Sequence, residues 1–426
     1  MRFQRQTNVV TSRAFAIGAC VVGLLCASAC SSGAGKHAAA TNTVGATTLV
    51  TATVASATAT RLAAGHWSTI PAAPLSNRLF ASVAWTGKEL IVWGGNDSPS
   101  GQPHNDGAAY NPTTREWRKL PPSPLTRRGG AAAVWTGSEV VFWGGVVPAP
   151  AGRVTSGSVA TAAYRPDTNS WRTIAPAPLP PTTFPIGFWT GDRVLLFSGL
   201  DAASYDPSTN KWQRLPSPVL PLHRPGWKVR RGGWELAVSA GPGRILAWSG
   251  WGAQKQIAPN STEASAGSDL FRYDESTNRW TALGPTAAAI SGPGEAFWTG
   301  SRVLFIGSAA RAPLSQGPPE PLMTASYDPE TGKATAVPAG ALVANGLQVW
   351  TGGALWSDRG AGDGPGDTAT AFDPSRGTSR RLTGAPFTSN FPAVPIWTGT
   401  SVLIYASAQI EPMQPHPVGG LEYVVR

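Results

Sequence analysis

Cysteine is almost missing from this chain. Its 426 residues include three, Cys20, Cys26 and Cys30, and none beyond Cys30. Disulfides, thiolate zinc sites and a cysteine nucleophile are thereby excluded from everything downstream. Histidine is also scarce, with five widely scattered residues: His37, His66, His104, His223 and His416. Charged residues make up 14%, against roughly 25% in an ordinary soluble domain. So low a fraction argues against long salt-bridged helices and coiled coils. No Gly-rich phosphate loop precedes a helix, and no Ser-His-Asp set stands out. The only sustained apolar run, Ala14 to Ala29, falls short of the roughly 20 strongly apolar residues that a membrane helix needs.

Glycine, proline and tryptophan are abundant instead, at 49, 39 and 18 residues. With 42% hydrophobic residues the chain can fill a sizeable core, so general disorder is excluded. The balance points to many short strands joined by tight turns.

Arg2, Arg5 and Arg13 precede the apolar run, and Ala27-Ser28-Ala29-Cys30 closes it. A basic start, an apolar middle and small residues before a cut describe a secretory signal. The closing tetrad resembles a bacterial lipobox, with Ala27 where Leu is commoner. The expectation is a signal over 1–29, lipidation of Cys30 and an Ala/Thr-rich tether over 30–64. The address would be extracytoplasmic, anchored to the cell membrane, or secreted if the lipobox is not used.

Self-similarity organises the remainder. Trp-Thr-Gly recurs at Trp85, Trp135, Trp189, Trp298, Trp350 and Trp397, with a degenerate copy at Ser239-Ala240-Gly241. Seven units follow. In each, the Gly opens a tight hairpin and a second apolar run follows, ending in the pairs Gly94-Gly95 and Gly144-Gly145 or in the weaker Ser198-Gly199 and Ser249-Gly250. A variable stretch leads to a third run ending at Tyr110, Tyr164, Tyr205, Tyr273, Tyr327 or Phe372. An Asn/Asp-Pro turn comes next, with Asn or Gly in its left-handed position, except that Arg115 stands there in the first unit. The fourth run opens with Trp117, Trp171, Trp212 or Trp280, seven residues after the Tyr. The last unit stops after its third run, at Tyr423, whereas His66-Trp67-Ser68-Thr69-Ile70-Pro71 reads as an isolated fourth.

This pattern resembles the kelch motif. The resemblance implies an all-β, seven-bladed β-propeller over 65–426, with the N-terminal strand completing the last blade. It brings two enzymes into view. Galactose oxidase chemistry needs a Tyr cross-linked to Cys and His ligands around copper, and the Cys and His inventory does not supply them. Sialic acid mutarotases suggest the alternative of a carbohydrate-active enzyme, in which Glu295 would serve as acid/base.

Short turns fall on one face of such a ring and variable connections on the other, where binding is expected. Arg78 and Arg128 stand seven residues before their Trp, with Arg230 or Arg231 near the same place in unit four. Free guanidinium groups around a mouth would suit a carboxylate or phosphate; pairing to carbonyls or acids at a blade junction is the competing reading. His223 and Trp227 lie in a unit-four insertion, Leu222 to Arg231, with Trp251 across the blade, and Asn390 is the unit-seven counterpart of the arginines. Asp358, Asp363 and Asp367 read as a solvated acidic loop. No metal or cofactor is expected. The net charge of +10, outside the cell, favours carbohydrate, anionic polymer or protein over nucleic acid. The expected protein is a monomeric binder.

Overall fold

The computed structural model describes residues 6–7 and most of 65–425. Outside the described residues lie 1–5, 8–64, 98–100, 149–155, 184, 219–227, 240–242, 259–260, 285–289, 310–321, 339–341, 343–346, 359–368, 383–393, 406–419 and 426.

Seven antiparallel sheets form a seven-bladed β-propeller, as the repeat implied. Blade one comprises Ser82–Trp85, Leu90–Trp93, Gly107–Asn111 and Glu116–Lys119. Blade two comprises Ala132–Trp135, Val140–Trp143, Thr161–Arg165 and Ser170–Ile174. Blade three comprises Ile186–Trp189, Val194–Ser198, Asp201–Asp206 and Lys211–Arg214. Blade seven is closed by both ends of the chain: Val394–Trp397, Ser401–Tyr405 and Leu421–Val425 are joined by Gly65–Thr69, with Trp67 opposite Tyr423.

The turns follow from local chemistry. Gly87, Gly137 and Gly191 have φ of 87°, 99° and 117°, where a β-carbon would be strained. The preceding Thr locks the hairpin: Thr86 N donates to Glu89 O at 3.0 Å, while Thr86 Oγ1 accepts from Glu89 N at 2.9 Å. On the same face, Asp206 Oδ1 accepts from Ser208 N and Thr209 N at 2.9 and 3.3 Å, an Asx turn. Asn169, Asn210 and Asn278 occupy the left-handed position, as does Arg115 at φ 58°.

The core lies between blades. Ala84, Ile91 and Trp93 of blade one pack on Ala133, Phe142 and Tyr164 of blade two, and Val83, Val92 and Tyr110 pack on Ile396, Leu403 and Tyr405 of blade seven. Each fully buried Trp or Tyr contributes roughly 2–3 kcal/mol of apolar transfer. In blades one to three the repeat Trp also ties the blade to its predecessor. Trp117 Nε1 donates to Pro71 O, Trp171 Nε1 to Pro121 O and Trp212 Nε1 to Ala175 O, at 2.8, 3.0 and 2.8 Å.

Blade four departs from the expected repeat. The Gly pattern placed the end of its second strand at Ser249-Gly250, and 222–231 was read as an insertion. In the structure, Lys228–Ser239, Arg244–Ala258 and Ser261–Asp274 run as strands of 12, 15 and 14 residues. Pairing continues to Ala258 opposite Ser261. Small and β-prone residues let the ladder run on beyond the glycine. The result is a three-stranded arm rising about 30 Å past the blade body, on the face of the long connections.

A two-residue strand, Gln6–Thr7, pairs with Phe297 and Ala296 on Ile290–Trp298, the innermost strand of blade five. In a chain cleaved before Cys30 this strand would be lost.

Candidate functional site

Arg78 and Arg128 are 2% and 1% exposed, and their geometry repeats. Nε donates to the carbonyl two residues back, at Ser76 (3.0 Å) and Thr126 (2.9 Å). Nη1 donates to the first carbonyl of the Gly pair, Gly94 O (3.2 Å) and Gly144 O (3.0 Å). Nη2 donates to Ser76 Oγ and Thr126 Oγ1. Arg78 adds an ion pair with Asp106 at 2.8 Å. Burial pushes the Asp106 carboxyl up, but the hydrogen bond and charge of Arg78 outweigh it and leave the group below its ordinary value. In blade two Ala160 replaces that acid, and burial pulls the Arg128 guanidinium down to about 10.

These two arginines therefore do not offer open donors at the mouth. They clamp the start of each blade onto its own Gly pair. The glycines are required there: a β-carbon on Gly94 would lie 2.5 Å from Arg128 O. Their spacing in the repeat was legible, but the carbonyl partners were not, because those lie sixteen residues away in a turn of unspecified path.

Elsewhere the predicted residues separate. Arg231 is the register partner of Trp251 in the blade-four arm, and Arg230 that of Gly252. Sequence alone had no means of placing Arg231 and Trp251 opposite each other. His223, Trp227, Asn390 and Cys30 lie outside the described residues, as do Asp363 and Asp367. Asp358 is not part of a solvated loop; it ends strand Leu355–Asp358 of blade six and is 1% exposed. Glu295 sits on the innermost strand of blade five, opposite Ile306. Its Oε2 is buried without a hydrogen-bond partner, and burial raises the carboxyl to about 8.

The opposite, short-turn face carries a feature the sequence reading did not anticipate. A groove of about 500 Å³ opens between blades two and three. Thr136, Ser138, Glu139 and Arg165 line it from blade two, and Trp189, Asp192, Asp206, Pro207 and Ser208 from blade three. Glu139 is 1% exposed and accepts from Arg172 Nε at 2.9 Å and from Arg165 Nε at 3.3 Å. Arg172 continues across the junction to Tyr205 Oη at 2.7 Å and Asn210 Oδ1 at 3.2 Å. The hydrogen bond to Glu139 leads the causes that raise the Arg172 guanidinium above its usual range. Nothing in the repeat singles this groove out, since the residue after the Gly is also small in other units, as at Ser301, Gly353 and Thr400. Among the described residues, no cluster of three His, Cys, Asp or Glu side chains is placed to hold a metal ion.

Residues 77–124, spanning blade one, match the family description of the Kelch motif. The chain carries a kelch motif. The match covers one blade of the seven-bladed ring; the other six are blades by their strand pairing. A solved structure, that of YjhT, is similar over 74% of this chain and 100% of its own, with 14% identity and a TM-score of 0.44. No curated protein matches the chain. The propeller assignment rests on the strand pairing described above.

Proposed function

We propose that this protein is an extracytoplasmic binding protein, anchored through lipid on Cys30, that engages a carbohydrate, anionic polymer or protein on its long-connection face. The observation that carries this reading is the blade-four arm. Three long strands rise from an otherwise short-stranded ring, and Arg231 and Trp251 are register partners within them. Arg and Trp at facing register positions are residue types suited to acidic sugars and polymers. His223 and Trp227, which precede the arm in the chain, and Asn390 complete the set to be tested. The ring supplies rigidity, because half-buried arginines and tryptophans tie the described junctions between blades one, two and three.

Binding of the lipid-free mature chain to arrays of glycans and cell-wall polymers tests this reading. Saturable binding that Trp251→Ala and Arg231→Ala both weaken supports it; binding indifferent to both overturns it. Detection of a diacylglyceryl group on Cys30, and release of the Cys30→Ala protein from the membrane, tests the anchor.

A second reading is favoured by Glu295. A partnerless carboxyl raised to about 8 has the proton affinity of a general acid at neutral pH. It would act on a sugar in the manner of a mutarotase. Turnover of an acidic sugar that Glu295→Gln abolishes would select this reading over simple binding.

A further inference from the structure

We propose that the junction between blades five and six holds a monovalent alkali cation, bound by the Glu295 carboxylate from blade five and by the Ser357 and Thr370 hydroxyls from blade six. The site stands independently of the blade-four arm, and it offers Glu295 a task other than proton donation.

Three positions of the repeat meet at a blade junction. The residue three before the repeat Trp faces the next blade. The residue seven after that Trp faces the preceding blade, as does the residue two before the repeat Tyr or Phe. Between blades two and three these are Ala132, Leu196 and Ala203, all members of one packed core. Between blades seven and one they are Val394, Val92 and Ala108, again in one core. Between blades five and six they are Glu295, Ser357 and Thr370. The register agrees: Glu295 lies opposite Ile306, and Ser357 opposite Thr370. Ile306 packs in one core with Leu355 and Phe372 of blade six. Ser357 and Thr370 stand two residues from those, hence on the same side of their strands.

Apolar bulk has thus been exchanged for oxygen on both sides of one junction. Ser357 and Thr370 are 0% and 6% exposed. Ser357 Oγ, Thr370 Oγ1 and Glu295 Oε2 are all buried without a hydrogen-bond partner. Thr324, in the same row as Glu295 and Ile306, shows the other outcome, since its hydroxyl donates to Val337 O. Buried oxygens left over in this way call for a partner. No ion pair reaches Glu295 among the described residues, and burial alone acts on its carboxyl. Facing sheets lie only about 10 Å apart, so the partner is small. Its ligands are oxygens alone, which selects a hard cation. Among the described residues no set of three His, Cys, Asp or Glu gathers there. One carboxylate answers one positive charge, whereas a divalent ion would leave net charge in a buried layer.

Thermal melting of the purified chain near pH 9 in sodium, potassium or choline chloride, each at about 300 mM, tests the proposal. Choline matches the ionic strength and is too large for the junction. At least one alkali salt should raise the melting temperature by about 3 °C over choline, saturating with a Kd on the order of 10 mM. Glu295→Gln should remove that increment. Ser357→Ala and Thr370→Val should each weaken the cation about tenfold, whereas Thr370→Ser should keep it. Broadening of the sodium NMR line by wild type, lost in folded Ser357→Ala protein, would support the site without reference to melting. Equal melting in all three salts, or a full increment in folded Glu295→Gln protein, would overturn it and leave the oxygens to ordered water.

Discussion

The Tyr110 hydroxyl is buried without a partner, because Arg115 stands five residues on, where three other repeat tyrosines find an asparagine. Tyr164, Tyr205 and Tyr273 donate to Asn169, Asn210 and Asn278 Oδ1 at 2.7, 2.7 and 2.8 Å. Arg115 reaches across the ring closure instead: Nη2 donates to Thr69 O at 2.6 Å, and Nη1 lies 3.6 Å from Glu422 Oε2. A local hydrogen bond has been exchanged for a clasp on the strand that closes blade seven.

That exchange separates two otherwise identical substitutions. Tyr110→Phe removes an unsatisfied hydroxyl and should leave stability unchanged or raise it by about 1 kcal/mol. Tyr164→Phe strips a partner from both Arg118 and Asn169 and should cost about 1–2 kcal/mol. Urea unfolding of the two variants beside wild type measures the difference; equal losses would show that the orphaned hydroxyl has no consequence.

Ring closure has its own test. The Trp67 and Tyr423 rings lie 5.1 Å apart, close to the 5.0, 5.1 and 4.9 Å of the intrablade pairs at Tyr110, Tyr164 and Tyr205. Trp67→Ala should lower stability by roughly 2–3 kcal/mol. Deleting 65–70 should expose the edge of Leu421–Val425 and promote self-association, visible by light scattering. A monomeric, fully stable deletion would contradict closure by this strand.

The clamping arginines should govern folding before anything else. Arg78→Ala and Arg128→Ala each leave buried carbonyls without donors and should cost about 2–4 kcal/mol. Well below the melting temperature, ligand affinity on the long-connection face should stay within about twofold of wild type. A large affinity loss with unchanged melting would return these residues to the binding site.

Glu295 gives stability a pH dependence of known sign. Its folded value, about 8, lies above the unfolded value near 4.3. Its contribution is therefore complete below about pH 4 and is lost as pH rises through 8. Glu295→Gln should flatten that decline, its stability advantage over wild type growing by several kcal/mol between pH 5 and pH 8.5. Parallel pH profiles for the two proteins would contradict this.

Much of the ring was legible because its determinants are local. Gly87 needs its positive φ whatever lies nearby, Asn210 suits a left-handed turn position, and Tyr205 and Trp212 meet because a tight hairpin sets them opposite. Even the closing strand showed itself, since His66–Pro71 carried the Trp that the last unit lacked. The blade-four arm was not legible: glycine at 250 reads as an end, and only pairing with 261–269 carries the strand through it.

Turn type, repeat number and the order of strands within a blade thus came from residue identity and short spacing alone. The tertiary structure decided what each polar side chain does. It turned Arg78 and Arg128 inward onto carbonyls sixteen residues away, made Arg115 a clasp between blades, and opened a groove beside Ser138. Backbone geometry at a turn is a property of a few consecutive residues. The partner of a long guanidinium is whatever acceptor its own blade or the neighbouring one brings within reach, and that depends on how connections and blades pack.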